Sequence, residues 1–372
     1  MRGEKLPVLI TGGAGFIGSH LANALAARGY PVRILDNLVD QVHGPDARFP
    51  AGLHPDVETL RGDVRRREDV RAALRDTRAV FHFAAAVGVG QSMYEIEHYT
   101  DVNNRGTAVL LECLLDHAVE RLVVASSMSL YGEGLYRRGD TISEPPPRSR
   151  AQLRAARWEL EEESKLLEPV PTPESKTPAP TSVYALSKLD QERLCLMFGH
   201  NYDVPAVALR FFNAYGPGQA LSNPYTGVLA IFAARCLNGK PPMIFEDGHQ
   251  RRDFVSVHDI VRGCILALEK PEAAGQAFNI GSGKAHSVLE IAQRLIKLLD
   301  LDLEPVIAQK YRAGDIRNCY ADISLARRVL GYEPEVMLEA GLAELIGWLQ
   351  GARAEDRSDT AGAELERRGL TL

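Results

Sequence analysis

Tyr184-Ala185-Leu186-Ser187-Lys188 sets a phenol and an ammonium four residues apart in a stretch of helical periodicity, so the two share one helical face. An ammonium beside a phenol favours the phenolate, and the spacing carries the expectation that the pKa of Tyr184 is lowered. A tyrosine tuned in this way serves as a general base near neutral pH. Ser127 supplies a third group. It ends the run Arg121–Ala125, Ser126-Ser127, at the C-terminal end of a predicted strand, where ligands bind in open α/β sheets. Its hydroxyl can hydrogen-bond a reacting oxygen. Alone, Tyr-x-x-x-Lys is also what an amphipathic helix facing a second subunit produces, so its weight depends on the elements that would position it.

The first of those elements is Leu6 to Ile10, a short apolar run followed by Gly12, Gly15 and Gly18 and then by helical periodicity from Phe16 to Arg28. Strand, glycine turn and helix in that order form the context of a dinucleotide-binding fingerprint. Gly12 permits the tight turn, Gly15 the approach of a pyrophosphate, and Gly18 close packing of helix on strand; the helix N-terminus favours the phosphates. A plain turn into a packed helix is the competing account. A second apolar strand, Pro31 to Leu35, ends on Asp36-Asn37. An acid there accepts hydrogen bonds from both ribose hydroxyls and repels a 2′-phosphate, which selects NAD over NADP. The cationic nicotinamide of NAD would add its charge to that of Lys188 beside Tyr184.

Further strands are expected at Val57–Leu60, Ala79–Phe83, Val204–Phe211 and Ala277–Ile280, alternating with helices at Glu68–Leu74, Glu95–His117 and Ser182–His200. This alternation implies an α/β fold with a doubly wound parallel sheet. Asp63, just past the third strand, is placed either to meet an adenine amino group or to cap the following helix. Residues 1–212 read as the dinucleotide-binding domain, interrupted at 134–181 by a Pro-, Arg- and Glu-rich insertion. Prolines at that density suit neither helix nor sheet, and a surface flap with one short helix (Gln152 to Lys165) is expected. Residues 213–350 read as a smaller, mixed C-terminal lobe, with helices at Val288–Leu299, Ile323–Leu330 and Leu338–Leu349. Residues 351–372 read as a charged, frayed tail.

The 372 residues are 45% hydrophobic, ample for a large core, and the net charge of −6 with interspersed signs gives no reason to expect a nucleic-acid partner. Cys113, Cys195, Cys236, Cys264 and Cys319 show no CxxC pair and no zinc spacing, which reads as reduced, mostly buried thiols and no metal site. The chain runs straight into its first strand and has no apolar run near the roughly 20 residues of a membrane span, so a cytoplasmic protein with no membrane partner is expected.

With these motifs assembled, the sequence resembles the extended short-chain dehydrogenase/reductase family, in its NAD-dependent nucleoside-diphosphate-sugar epimerase/dehydratase branch. The likeness runs from about Leu6 to about Pro334, excluding the insertion, and implies a Rossmann-like domain with a substrate-binding C-terminal lobe. It makes Ser127, Tyr184 and Lys188 the catalytic set. It implies cofactor contacts from Gly12, Gly15, Phe16, Ile17, Gly18, Asp36, Asn37, Asp63, Val64, Phe83, Ala84, Ala85 and Ser126, besides Tyr184 and Lys188, with Asn103 supporting the active-site loop. The stretches Leu209–Pro217, Arg251–Val255 and Tyr311–Asp315 also resemble the family. They imply that Asn213 reaches a phosphate, that Arg252 and Arg312 clamp the diphosphate, and that Asp315 takes a nucleotide ribose. Val89, Ser92, Ser129, Val228 and Phe245 complete the implied substrate site, with Ser127 again among its contacts.

In the family's 4,6-dehydratases the stretch corresponding to Ser127-Met128-Ser129 reads Thr-Asp-Glu, and Met128 and Ser129 cannot do the work of that acid and base. The resemblance is therefore to the 4-epimerases, among them enzymes acting on dTDP-L-rhamnose and dTDP-6-deoxy-L-talose; Asp40–Gly44, Val87–Tyr94 and Asn223-Pro224-Tyr225 are similar to that group. UDP-hexose or UDP-uronate 4-epimerisation, 4-ketoreduction and a non-catalytic NAD-sensing role remain as alternatives. The family commonly dimerises through a four-helix bundle, which here implies a homodimer through the helices Thr107–Leu115 and Ser182–His200.

Overall fold

The computed structural model describes residues 6–163, 165–225, 227–351 and 355–371. Its centre is a sheet of seven parallel strands: Val8–Thr11 (β1), Val32–Asp36 (β2), Val57–Arg61 (β3), Ala79–His82 (β4), Arg121–Ser127 (β5), Ala206–Phe211 (β6) and Ala277–Ile280 (β7). The spatial order is β7-β6-β5-β4-β1-β2-β3. A parallel sheet covered on both faces needs strands apolar on both sides, and β1, β4, β5 and β6 are buried at every residue. Edge strand β3 carries exposed polar residues instead. On one face, Val8, Ile10, Ile34, Phe81, Val123 and Val207 join a core with Leu21 and Leu25 of the helix Phe16–Ala27 and Ile260 and Cys264 of the helix Val257–Glu269. On the other, Leu9, Leu35, Val80, Leu122 and Ala208 pack with Val70, Leu110, Cys195 and Phe198, from the helices Arg67–Leu74, Gly106–Leu114 and Val183–Asn201. The chain is a Rossmann-like, doubly wound α/β protein. Strand order reverses between β1 and β4, and the crevice beyond the C-terminal strand ends there is the natural ligand site.

The second lobe has its own core of Tyr215, Leu229, Phe232, Ile244, Phe254, Ile291, Leu342 and Leu345. Its helices Val228–Leu237, Val288–Leu298 and Leu338–Leu349 pack beside two- and three-stranded ladders, one of which sets Arg251–Arg252 between His286–Ser287 and Asn318–Cys319. All five cysteines are free and buried. Among the described residues, no helix is long and apolar enough to cross a membrane.

Three expectations are corrected. The insertion does form sheet: Leu135–Arg138 pairs with Thr141–Ser143 and with Glu168–Val170, and Pro169 is tolerated because its strand lies at the edge. The helix expected over Gln152–Lys165 stops at Arg150–Arg154; beyond it Trp158 and Leu160, two apart, bury their side chains as an extended segment does, and Leu160 packs with Tyr136 and Leu167. The insertion rests on the second lobe, with Arg148 on Glu246 at 2.8 Å. Finally, the tail is not frayed. Ser358–Arg367 is a helix that buries Ala361 and Leu365.

The expected helix Glu95–His117 is present with one irregularity. Between Ile96–Tyr99 and Gly106–Leu114 the segment Thr100–Arg105 widens to a π-helix, and this turn carries Asn103. Such turns concentrate at functional sites.

Candidate active site

One cavity of about 730 Å³ runs along the crevice and collects most of the residues that the sequence singled out. Gly12, Gly15, Phe16, Ile17, Gly18, Asp36, Asn37, Val64, Phe83, Ala84, Ala85 and Ser126 line it, as do Ser127, Ser129, Tyr184 and Lys188. Val89 lines it where the start of the Tyr184 helix meets the turn at Gly314, and its far end is lined by Asn213, Val228, Phe245, Arg252, Arg312 and Asp315. Three of the expected site residues, Asp63, Asn103 and Ser92, do not line it.

The glycine turn fits a dinucleotide. Gly12 has φ +69°, and a Cβ there would stand 2.7 Å from the Ala84 nitrogen; at Gly18 a Cβ would stand 2.4 Å from the Gly12 carbonyl oxygen. Asp36 is fixed by its own backbone surroundings: its Oδ2 accepts from the Ala14 N–H at 3.1 Å and its Oδ1 from the Leu38 N–H at 2.9 Å. Each oxygen keeps a lone pair for ribose hydroxyls. Asp36→Ala is therefore expected to weaken NAD and to narrow the preference against NADP about tenfold, by removing a repulsive charge. Titration of the variant with both cofactors checks this; an unchanged ratio would show that Asp36 is not the ribose ligand.

Asp63 neither caps the helix nor faces the cavity. It accepts from the Arg65 guanidinium and backbone and from Asn37, and although burial pushes its pKa up, these bonds bring it down to about 2. Asn103 clasps the small-residue loop after β4, accepting from the Ala86 N–H at 2.7 Å and donating to the Ala86 carbonyl and the Ser187 hydroxyl. Ser126 turns its hydroxyl away, onto Glu192.

The helix Val183–Asn201, which carries Tyr184 and Lys188, is capped by Ser182, whose Oγ accepts from the Ala185 N–H at 3.1 Å. Ser92, fully buried, accepts from the Tyr184 N–H at 3.0 Å and donates to the Val89 carbonyl, so it holds the start of this helix rather than a ligand. Ser127 and Ser129 face each other, their hydroxyls 3.2 Å apart.

Without the nicotinamide charge that the expectation includes, burial governs the pair. Burial pushes the Tyr184 phenol up from its ordinary value, while its contact with the Ser127 hydroxyl pulls it down. Burial also draws Lys188 down to about 8. Both groups sit where the charged form is poorly hydrated, and desolvation is the dominant cause for each. The Lys188 Nζ donates to Gln191 Oε1 at 2.7 Å. Gln191 in turn donates to the Thr107 hydroxyl, which meets His82, and His82 Nδ1 lies 2.8 Å from the Thr11 hydroxyl beside the glycine turn. Burial holds the pKa of His82 down to about 3, so this buried relay is uncharged up to the lysine. The sequence reading missed Gln191, Thr107 and His82. A signal existed in Gln191, a polar residue one turn beyond Lys188 on the same inward face.

At the far end, Arg312 pairs with Asp315 at 2.8 Å and lies 5.4 Å from the centre of the Phe245 ring. The Arg252 guanidinium donates to the carbonyls of Arg251, Ile316 and Arg317, which fixes its plane. Two oriented guanidiniums flanking one cavity suit a diphosphate. Asp253, between Arg252 and the core, is fully buried and receives the Ser282, Gly283 and Ala321 N–H groups, which anchors the arginine strand.

A family model for NAD-dependent epimerases and dehydratases matches residues 8–162 and 164–281. The chain belongs to the NAD dependent epimerase/dehydratase family. A dTDP-L-rhamnose 4-epimerase of Burkholderia thailandensis is 38% identical over 348 residues, 92% of this chain and 94% of that protein. Among solved structures, the UDP-glucose 4-epimerase of Thermotoga maritima with UDP-glucose is similar at 30% identity and a TM-score of 0.75, covering 93% of this chain and 99% of its own. The UDP-glucuronic acid 4-epimerase of Bacillus cereus, in complex with UDP-glucuronic acid and NAD, matches at 28% identity and a TM-score of 0.76, with coverages of 93% and 99%. This family member is thus an NAD-dependent sugar epimerase. The glycine turn, Asp36 and the Tyr184 helix are the parts of the chain that would hold NAD, which accepts and returns a hydride at a sugar carbon when bound.

Proposed function

We propose that this epimerase inverts C4 of a nucleoside-diphosphate sugar, with dTDP-L-rhamnose and dTDP-6-deoxy-L-talose as the interconverted pair. Tyr184, as the phenolate, takes the proton of the 4-hydroxyl as the C4 hydrogen leaves as hydride, and Ser127 donates to the oxygen that becomes a ketone. The 4-keto sugar turns about its diphosphate linkage, Tyr184 returns the proton, and the hydride arrives on the opposite face. Arg252 and Arg312 hold the diphosphate throughout, which lets the sugar turn without escaping.

The observation that carries the reading is the wall beside Ser127 and Tyr184. Met128, buried next to Ser127, and Val89, on the short helix whose Ser92 holds Tyr184, present apolar surface and no acid–base pair. That wall has nothing to eliminate water with, and it suits the methyl group of a 6-deoxy sugar better than a carboxylate. The 38% identity to a dTDP-L-rhamnose 4-epimerase supports the same substrate. The competing reading is a UDP-hexose or UDP-uronate substrate, favoured by the likeness to the two UDP-sugar epimerase structures. Purified holoenzyme is expected to interconvert dTDP-L-rhamnose and dTDP-6-deoxy-L-talose with no added cofactor, and to do so with higher kcat/KM than it shows on UDP-glucose or UDP-glucuronate. A reversed order selects the UDP-sugar reading, and turnover only with added reduced cofactor selects a ketoreductase.

We further propose a homodimer formed through the catalytic helix and Gly106–Leu114. Leu186 and Met197 lie on the catalytic helix, 55% and 57% exposed, and Leu115 just past the neighbouring helix is 53% exposed. The insertion leaves these side chains uncovered, so a second copy is the partner that suits them. Light scattering at micromolar concentration is expected to give twice the mass of one chain; the mass of a single chain would exclude the dimer.

A further inference from the structure

The C-terminal helix Ser358–Arg367 and its flanks reach three loops that border the far end of the cavity. At its start, the Glu355 N–H donates to the Ser222 hydroxyl, beside the cavity-lining Asn223, and Arg235 grips Asp359 at 2.6 Å and Ser358 at 2.8 Å. Midway, the Leu365 side chain is 4% exposed, and its methyls lie 3.4 Å from where a Cβ on Gly90 would stand, in the short helix that carries Val89 and Ser92. One turn on, the Arg368 guanidinium sits 4.2 Å from the centre of the Tyr94 ring, and the Tyr94 hydroxyl is bonded to that of Tyr225, another lining residue. At the end, the Ala313 N–H donates to the Leu370 carbonyl at 2.7 Å, and Arg312 and Thr371 form an antiparallel bridge.

We propose that this segment is a strap that positions the substrate-side loops, with Leu365 and Arg368 as its positioning residues. Leu365 seats the 89–92 helix, Arg368 seats the Tyr94–Tyr225 pair, and the backbone pairing at 370–371 sets the turn from which Arg312 reaches the diphosphate. None of these contacts involves the glycine turn or Asp36, so the strap acts first on the nucleotide-sugar end; it reaches the Tyr184 helix only through Ser92 of the 89–92 helix. The inference rests on the reading of Arg312 and its neighbours as the nucleotide-sugar end of the cavity.

Holoenzyme of the full chain carrying Leu365→Ala, Arg368→Ala or both is compared with wild type for UDP and dTDP binding by calorimetry, for KM and kcat, for NAD content and for Tm. Both single variants are expected to weaken nucleoside-diphosphate binding and to raise KM about tenfold. Arg368→Ala should leave kcat, NAD content and Tm close to wild type, while Leu365→Ala should also lower Tm through the cavity it leaves and kcat through the Ser92 bond to Tyr184. Thr360→Ala, at an exposed position of the same helix, serves as the control and is expected to change nothing. Wild-type affinity and KM in the double variant overturn the strap. So does a parallel fall in Tm, NAD content and kcat in Arg368→Ala, which would make the helix a general stabilising element. Failure of the wild-type holoenzyme to bind either diphosphate would sink the nucleotide-sugar reading instead.

Discussion

Tyr184→Phe is expected to lower turnover by about a thousandfold or more while leaving the protein folded and carrying NAD, because it removes the base and almost no volume. The helix would stay in place: Ser182 caps it, and Ser92 holds the Tyr184 N–H whatever the side chain. The loss should fall on kcat, since the hydroxyl takes part when C4 is oxidised and not in holding the distant diphosphate. The raised pKa of Tyr184 and the lowered pKa of Lys188 make a second expectation. Free of cofactor, the pair favours neutral phenol, and the positive nicotinamide is needed to draw out the phenolate. Lys188→Met, which removes the remaining positive charge, should therefore also cut kcat, and more steeply at low pH than at high. Turnover of the Tyr184→Phe protein within tenfold of wild type would remove Tyr184 from the base role.

The parts of this molecule that were legible in the sequence are those where a single physical role suits the residue type. Glycines at 12, 15 and 18 after an apolar run have a backbone reason, visible at Gly12 and Gly18 as the 2.7 Å and 2.4 Å clashes that a Cβ would meet. Continuous apolar strands announce a sheet buried on both faces, and β1, β4, β5 and β6 lie on runs of that kind. The illegible parts depend on what a side chain meets far away in sequence. Asp63 was readable as an adenine ligand or a cap, and Arg65 with Asn37 took it instead. The segment 152–165 has helix-forming composition, yet the burial of Trp158 and Leu160 decided for extended chain. The tail is rich in charge, and composition alone gave no hint that Arg235, Lys240 and Lys310 would each find an acid on it. The bare pair was illegible for a similar reason: helical spacing puts Lys188 on the face of Tyr184, but the burial that pushes the phenol up and the ammonium down is a property of the packed cavity.

The largest stability effect is expected where the catalytic helix is tied to the sheet. Glu192, one turn after Lys188, is 1% exposed and takes a bidentate pair from Arg210 of β6, at 2.9 and 2.6 Å. It also accepts from the Ser126 hydroxyl at 2.6 Å, so the residue before Ser127 is fastened to the helix that bears Tyr184. Arg210 continues to the Tyr131 hydroxyl and the Glu174 carbonyl, and Tyr131 donates to Asn279 of β7. The network therefore joins β5, β6, β7, the insertion and the catalytic helix around one buried charge pair. Arg210→Met would leave the Glu192 carboxylate buried with only Ser126 to bond it, and the expected loss is about 3–5 kcal/mol of stability. Glu192→Leu together with Arg210→Met removes both charges. Since well-packed apolar groups often replace a buried ion pair at little cost, the double variant should regain most of that loss. It should still fall about 1 kcal/mol short, because the Ser126 hydroxyl then lacks its acceptor. Urea unfolding of wild type, the two single variants and the double variant measures the cycle. The activity of the double variant separates anchoring from stability: if Glu192 sets the distance between Ser127 and Tyr184, kcat stays low even where stability has returned. A double variant no more stable than Arg210→Met alone would mean that the network is held by its geometry and not by cancellation of its charges.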